Sequence, residues 1–339
     1  MKILILKPSS LGDVVQALPV LRLLKRHRPN SAIYWWIDSP LAPLLEGDPD
    51  LAGVVRFERH RWASPRHWPE ALQHVRWLRA QQFDWVIDLQ SLLRTGAVAW
   101  LTNGGLLVGL DEPREGARGF YDIIVPRPSF HTHAVDWYRA VLPALGLPAD
   151  GDFVWLPPRA DVAASIRQRW QTDAARWIAL QPGARWDNKR WPVGHFAELV
   201  RRLAAEFPHA RVVILGGADD AALAARIAGA APDRCLNLAG QTTLPELVEW
   251  LRLVSVLVTN DTGPMHIAAA LGTPLVALFG PTEPRRTGPY RRLDAVLQHA
   301  LPCVPCLKPR CRWPRPLECL TALTPEAVFE RVRQLLLPG

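Results

Sequence analysis

The stretch VTNDTGPMHIAAALGTP, residues 258–274, brings Asp261, Thr262, Gly263 and His266 to the point where an apolar run gives way to a helical pattern. The Thr262 hydroxyl, the backbone amides of 262–264 and the start of the helix suit a diphosphate, because helix N-termini and turn amides favour anions. Asp261 would repel phosphate, so it is better used on sugar hydroxyls. His266, about one turn into the helix, faces the same pocket on this reading. The structural alternatives are strand-end capping for Asp261 and a satisfied core position for His266.

Three further loops carry polar chemistry. In LKPSSLGDVV, residues 6–15, Asp13 falls in the first turn of a helix, where the dipole favours a carboxylate. It is either a charged helix start or a general base that takes the proton of an attacking alcohol, with Lys7 keeping it ionised and Ser10 close by. In QPGARWDNKRWP, residues 181–192, Lys189 is the only lysine, between Trp186 and Trp191. It reads either as a neutraliser of phosphate charge or as a solvated surface lysine. In LGGADDAAL, residues 215–223, one of Asp219 and Asp220 caps the following helix, and the other can reach a ribose or sugar hydroxyl. No G-x-G-x-x-G occurs in these loops, which argues against a dinucleotide.

Four cysteines crowd the C-terminal region as C-x2-C-x4-C-x7-C: Cys303, Cys306, Cys311 and Cys319. The grouping admits zinc, reduced thiols or a local disulfide, although the second pair lacks C-x2-C spacing. The net charge of +8 is uneven. Residues 285–315 hold eight basic residues against Asp294, and residues 56–79 hold six arginines and three histidines against Glu58 and Glu70. Both patches suit an anionic partner or are solvated surface. Nothing resembles a nucleic-acid signature.

These loops need a scaffold that presents strand ends. Short apolar runs at 2–6, 32–37, 84–88 and 106–109 alternate with helical patterns at 13–27, 40–46, 67–80 and 92–101. HTHAVDWYRAVLPALGLP, residues 131–148, reads as one helix closing on Gly146, and the Pro-containing 151–161 as a linker. A second series follows, with strands at 177–181, 211–215, 235–238, 256–259 and 275–279. Its helices are expected at 193–206, 218–230, 244–253 and 264–271, with a last one at 324–337. Such alternation predicts two α/β halves with parallel sheets, and ligands at the C-terminal strand ends in a cleft between them. No apolar run approaches the roughly 20 residues of a membrane-spanning helix. Residues 3–6 are too short for a signal-peptide core, so a soluble cytoplasmic protein is the expectation.

Taken in order, KPSSLGDVVQALPVL, DWVIDLQSLLRTG, NKRWP, LAGQTTLPEL and DTGPMHIAAALGTPLVALFGPTEP resemble the lipopolysaccharide heptosyltransferases, glycosyltransferase family 9, from residue 1 to about 335. KPSSLGD, IDLQSLLRTG and REGARGFYD look closest to heptosyltransferase I, which adds the first heptose to the Kdo of lipid A. The resemblance implies a GT-B architecture: two Rossmann-like domains, 1–155 for the acceptor and 156–323 for the nucleotide sugar, facing across a cleft. The helix in 324–339 would return to the first domain. It also implies inverting transfer from ADP-heptose without metal or other cofactor.

Carried over by position, Asp13 matches the proposed base and Lys189 the lysine near the diphosphate. Asp261, Thr262, Gly263 and His266 match the donor segment, Thr242 the adenine-side loop and Asp219 the acidic position of the GGADD loop. Several relatives have hydroxyl residues before DNK where this chain has Ala184 and Arg185, so Arg185 takes over part of the phosphate grip. Lys7, Ser10, Arg59, Arg61, Arg94 and Arg114 would hold the acidic, lipid-linked sugar acceptor, since arginine suits carboxylate and phosphate. The basic 285–315 segment would touch the anionic inner leaflet from the cytoplasmic face. Readings from outside this chemistry are a nucleotide-sugar epimerase of the same architecture and a silent sugar-nucleotide binding protein.

Overall fold

The central strands of both halves are apolar on both faces, which requires helices above and below them. In the computed structural model, which describes residues 1–337, the chain forms two compact units, Met1–Pro157 and Pro158–Gly339. The first unit has strands β1 (Lys2–Leu6), β2 (Ala32–Asp38), β3 (Gly53–Phe57), β4 (Trp85–Asp88), β5 (Leu106–Leu110) and β6 (Ile123–Val125). They form one parallel sheet in the order β3-β2-β1-β4-β5-β6. Its principal helices are α1 (Leu11–His27), α2 (Trp68–Ala80), α3 (Leu93–Leu101) and α4 (Ala134–Arg139).

The second unit repeats the plan. Its strands are β7 (Arg176–Gln181), β8 (Ala210–Ile214), β9 (Cys235–Asn237), β10 (Val256–Asn260), β11 (Leu275–Phe279) and β12 (Val296–Gln298). The order β12-β11-β10-β7-β8-β9 is the first unit's order again, and all pairings are parallel. Its helices are α5 (Ala160–Trp170), α6 (Val193–Glu206), α7 (Ala221–Ala228), α8 (Leu244–Leu253), α9 (Gly263–Leu271) and α10 (Pro325–Leu336). Each sheet therefore reverses its winding once, between β1 and β4 and between β7 and β10. Ligands of open α/β sheets bind at such switch points.

Several elements differ from the sequence expectation. The first helix starts at Leu11, making Ser10 its N-cap and Asp13 its third residue. Residues 131–148 form two short helices, α4 and Val141–Ala144, because Pro143 cannot continue the hydrogen-bond ladder of a single long helix. Residues 40–46 form a 3-10 turn over Ser39–Leu44, held by Pro40 and Pro43. The last helix packs Val328, Val332 and Leu336 into the second unit's own core beside α6. Its stripe is apolar enough to be buried where it stands. Pro338 and Gly339 of that segment lie outside the described residues.

No described helix is long and apolar enough to cross a membrane. Of the four C-terminal cysteines, Cys303, Cys306 and Cys311 lie in the irregular chain after β12 and Cys319 in the short helix Glu318–Thr321, and each has a free thiol. Burial, with the other three thiols nearby, pushes the Cys319 thiol up to about 11.

One buried ion pair ties the first unit together. Arg22 of α1 donates to Asp48 at 2.5 and 2.6 Å, to Asp50 at 2.7 Å and to the Trp155 carbonyl at 3.0 Å. The Arg22 and Asp48 side chains are both almost wholly buried. Removing one partner leaves an uncompensated buried charge, which costs about 3–5 kcal/mol. Arg22→Ala is therefore expected to lower the unfolding free energy of this unit by about that amount in urea titration; a loss below about 1 kcal/mol would mean that water already screens Asp48.

Candidate active site

Register sets which loops meet. Leu6 pairs with Asp88 across β1 and β4, so Lys7 emerges beside Leu89. The Lys7 ammonium, 2 % exposed, donates to the Leu89 carbonyl at 2.8 Å and to the Tyr138 hydroxyl at 3.0 Å. Tyr138, from α4, donates in turn to Asp13 Oδ1 at 3.4 Å. The other carboxylate oxygen of Asp13 accepts from the Ser10 N–H at 3.0 Å and the Ser10 hydroxyl at 2.7 Å. Asp13 is thus held by its own helix start and linked to Lys7 through Tyr138, where a direct pairing was expected. Burial lowers the Lys7 pKa, opposed by the nearby charges of Asp13 and Asp88.

Behind this group lies Asp88, fully buried at the end of β4. The Gln90 and Ser91 amides donate to it at 2.9 Å, and the Tyr121 hydroxyl at 2.7 Å. Tyr121 lies flat over Gly109, where any Cβ would overlap its ring. Nothing in the sequence pattern singled out Tyr138, Tyr121 or Asp88.

The expected acceptor arginines are scattered. Arg114 is exposed, pairs with Glu112 at 2.8 Å and feels the charge of Asp13. Arg94 is exposed in the first turn of α3, and Arg59 is half-buried in a short helical turn. Arg61 is committed to Glu70 by a bidentate pair at 2.7 and 2.8 Å, contrary to its expected availability. The pair is exposed, however, and such pairs are weak enough for a stronger anion to displace.

In the second unit Thr259 pairs with Gln181, so the loops after β10 and β7 leave side by side. Asn260 clasps them. Its amide donates to the Pro182 carbonyl at 2.7 Å and accepts from the Trp191 N–H at 3.0 Å. Asp261 Oδ2 then accepts from the Lys189 ammonium and from the Thr282 hydroxyl, each at 2.6 Å. Lys189 also lies over the Trp186 ring, 4.9 Å from its centroid, while Trp191 is in the core. Asp261 therefore anchors Lys189 through one of its carboxylate oxygens. Thr282 was not foreseen.

Thr262 is the N-cap of α9, yet its side chain makes no capping hydrogen bond. Pro264 has no N–H, and Met265 N–H is used by the Thr262 carbonyl at 3.1 Å. The expected amide cradle over 262–264 therefore reduces to Thr262 and Gly263 with the Thr262 hydroxyl. His266 is half-buried within the first turn of α9.

Asp220, and not Asp219, makes the local cap, accepting from the Gly217 N–H at 3.1 Å. A Cβ at Gly183 would overlap the Asp220 carboxyl, so the loops after β7 and β8 touch only because Gly183 is glycine. Asp219 and Arg185 are exposed, and Thr242 is half-buried one residue before the N-cap of α8. Lys189, Asp261, Thr262, Gly263 and Asn260 stand together; Thr242, Asp219 and Arg185 lie on adjoining loops.

Residues 71–315 match the family model described as glycosyltransferase family 9 (heptosyltransferase). The chain is 31% identical to lipopolysaccharide heptosyltransferase 1 of Pseudomonas aeruginosa, over 99% of this chain and 98% of that one. It is 29% identical to lipopolysaccharide heptosyltransferase 2 of Salmonella typhimurium, over 88% of each. Among solved structures, the E. coli heptosyltransferase WaaC with ADP aligns with a TM-score of 0.79 at 26% identity, covering 99% of this chain and 100% of that one.

Burial raises the Asp88 pKa against the lowering effect of its hydrogen bonds. A carboxyl whose folded pKa is raised contributes stability below its unfolded value and loses it as pH climbs through the folded one. Asp88→Asn is thus expected to gain stability relative to the unsubstituted protein as pH rises above the ordinary carboxylate range, read from urea midpoints. A difference that stays constant over this rise would remove burial as the controlling effect.

Proposed function

The chain belongs to glycosyltransferase family 9, and on that premise we propose that it moves L-glycero-D-manno-heptose from ADP-heptose to the Kdo of the lipopolysaccharide inner core, with Asp13 as general base. The observation that carries the reading is the pair of charged groups at the two switch points: a half-exposed carboxylate after β1, and a lysine held beside a helix N-terminus after β7 and β10. The first suits an alcohol's proton. The second suits a leaving diphosphate.

In this mechanism the acceptor hydroxyl attacks the anomeric carbon of the heptose. Its proton passes to Asp13 as the new carbon–oxygen bond forms. The bond to the diphosphate breaks, its electrons leave with ADP, and the anomeric configuration inverts. Lys189, Arg185, the Thr262 hydroxyl and the amides of Thr262 and Gly263 stabilise the charge gathering on the diphosphate. The cationic role at that position falls to side chains, with no metal in the chemistry. Asp261 orients Lys189, and Thr242, Asp219 and His266 line the nucleoside and sugar positions.

Lys7 and Tyr138 support Asp13 from behind. Ser10, Arg59, Arg61, Arg94 and Arg114 receive the acidic sugar. A lipid-linked acceptor of this kind places the protein at the cytoplasmic face of the inner membrane. The relative solved with ADP supports the donor nucleotide. The near end-to-end match to a heptosyltransferase 1 supports Kdo as acceptor. The similar identity to a heptosyltransferase 2 favours a second reading, in which heptose itself is the acceptor.

Asp13→Asn is expected to lower kcat by about 10²–10⁴-fold with little change in ADP-heptose affinity. Turnover near the unsubstituted rate at neutral pH would end the assignment of the base. Turnover on acceptors ending in Kdo is expected to exceed that on acceptors ending in heptose by at least about tenfold, a difference of roughly 1.4 kcal/mol in barrier. The reverse preference, read by product mass, would establish the second reading.

A further inference from the structure

Cys303, Cys306, Cys311 and Cys319 line one small cavity in the second unit, and none of the groups assigned to transfer lines it. Two backbone turns with positive φ, at Leu307 and Leu317, fold the loop so that all four face it. The Leu317 N–H donates to Cys311 Sγ at 3.4 Å, and the Leu307 N–H pins the loop to the Pro281 carbonyl at 2.8 Å. Asn188 forms part of the wall and is 5 % exposed. Its amide nitrogen donates to the Lys308 carbonyl at 2.7 Å, while its Oδ1 is buried without a partner.

The charge pattern is as informative as the sulfurs. Lys308, Arg310, Arg312 and Arg315 are interleaved with the cysteines, and Glu318 is the only acid between residues 303 and 319. Arg315 pairs with Glu318 at 2.7 Å, which leaves Lys308, Arg310 and Arg312 as the net charge of this loop. Four thiolates around a divalent cation carry a net charge of −2, and these side chains then neutralise it locally. This gives the basic end of the 285–315 segment a purpose inside its own loop.

We propose that these four cysteines bind one thiophilic divalent cation, zinc or ferrous iron, as a structural tetrathiolate site. The cation displaces four thiol protons to solvent, four metal–sulfur bonds form, and no electron is transferred. The thiols ring the cavity without closing on one point: among the described residues no three His, Cys, Asp or Glu groups are arranged as a finished site. Binding draws them inward by side-chain rotation and tightening of the two turns. The closed site fastens the loop to Pro281 and Asn188, the neighbours in sequence of Thr282 and Lys189.

The test uses the full chain, purified under reducing conditions without added chelator. Elemental analysis is expected to find about one zinc or iron per chain, and to say which. Cys306→Ser and Cys311→Ser are each expected to lower that content at least tenfold. Cobalt(II) added to metal-stripped protein is expected to give the thiolate charge-transfer absorption and visible bands of a tetrahedral sulfur site. This measurement stands even if the serine variants fail to fold. Metal content below about a tenth of an equivalent together with no cobalt–thiolate spectrum overturns the proposal. So does an intact mass lacking two hydrogens per cysteine pair, which would mean disulfides.

Discussion

A carboxylate nearly removed from water must be paired, because an isolated buried charge costs more than the fold can offset. Asp261, 6 % exposed, meets that demand with Lys189 and Thr282. The three residues come from the ends of β10, β7 and β11, which are consecutive in the sheet. One cluster therefore joins three loops that parallel topology would otherwise send apart. Asn260 reinforces the join by bonding both ends of the loop that carries Lys189. The lysine's position is fixed because the aspartate cannot be left alone.

The first unit meets a similar demand differently. The buried cation at its switch point is the ammonium of Lys7, satisfied by a carbonyl and a tyrosine hydroxyl. The carboxylate near it, Asp13, lies further out and is tied to its own N-cap. Asp88 adds a buried acid, sheltered by two amides and Tyr121, so the strand-end region is a network and not a single pair.

The sequence showed the central strands and the long helices because their apolar periods are uninterrupted. What it hid follows from the same physics. Strands β3, β6 and β12 were missed, and all three are sheet edges with few buried positions, so no long apolar run marks them. The switch-point loops were legible as sites, since a charged residue beside glycine after an apolar run is a local pattern. Their partners were not. Tyr138 lies more than a hundred residues from Asp13, and Thr282 lies in an ordinary Gly-Pro turn; only the register of the sheet brings them in. Pro264 was in plain view, and its missing N–H should have narrowed the phosphate cradle from the start.

The duplicated strand order has a further implication. Around the same topological point the first unit sets Lys7 with Asp13, beside the buried Asp88, and the second sets Lys189 with Asp261; these two lysine–aspartate sets are ordered by depth in opposite ways. In the first the cation is interior and the anion faces outward; in the second the anion is interior and the cation faces outward. One scaffold thereby presents opposite electrical polarity at equivalent positions, without any change of backbone plan. The depth of each charge, more than its identity, distinguishes the two Rossmann-like strand ends.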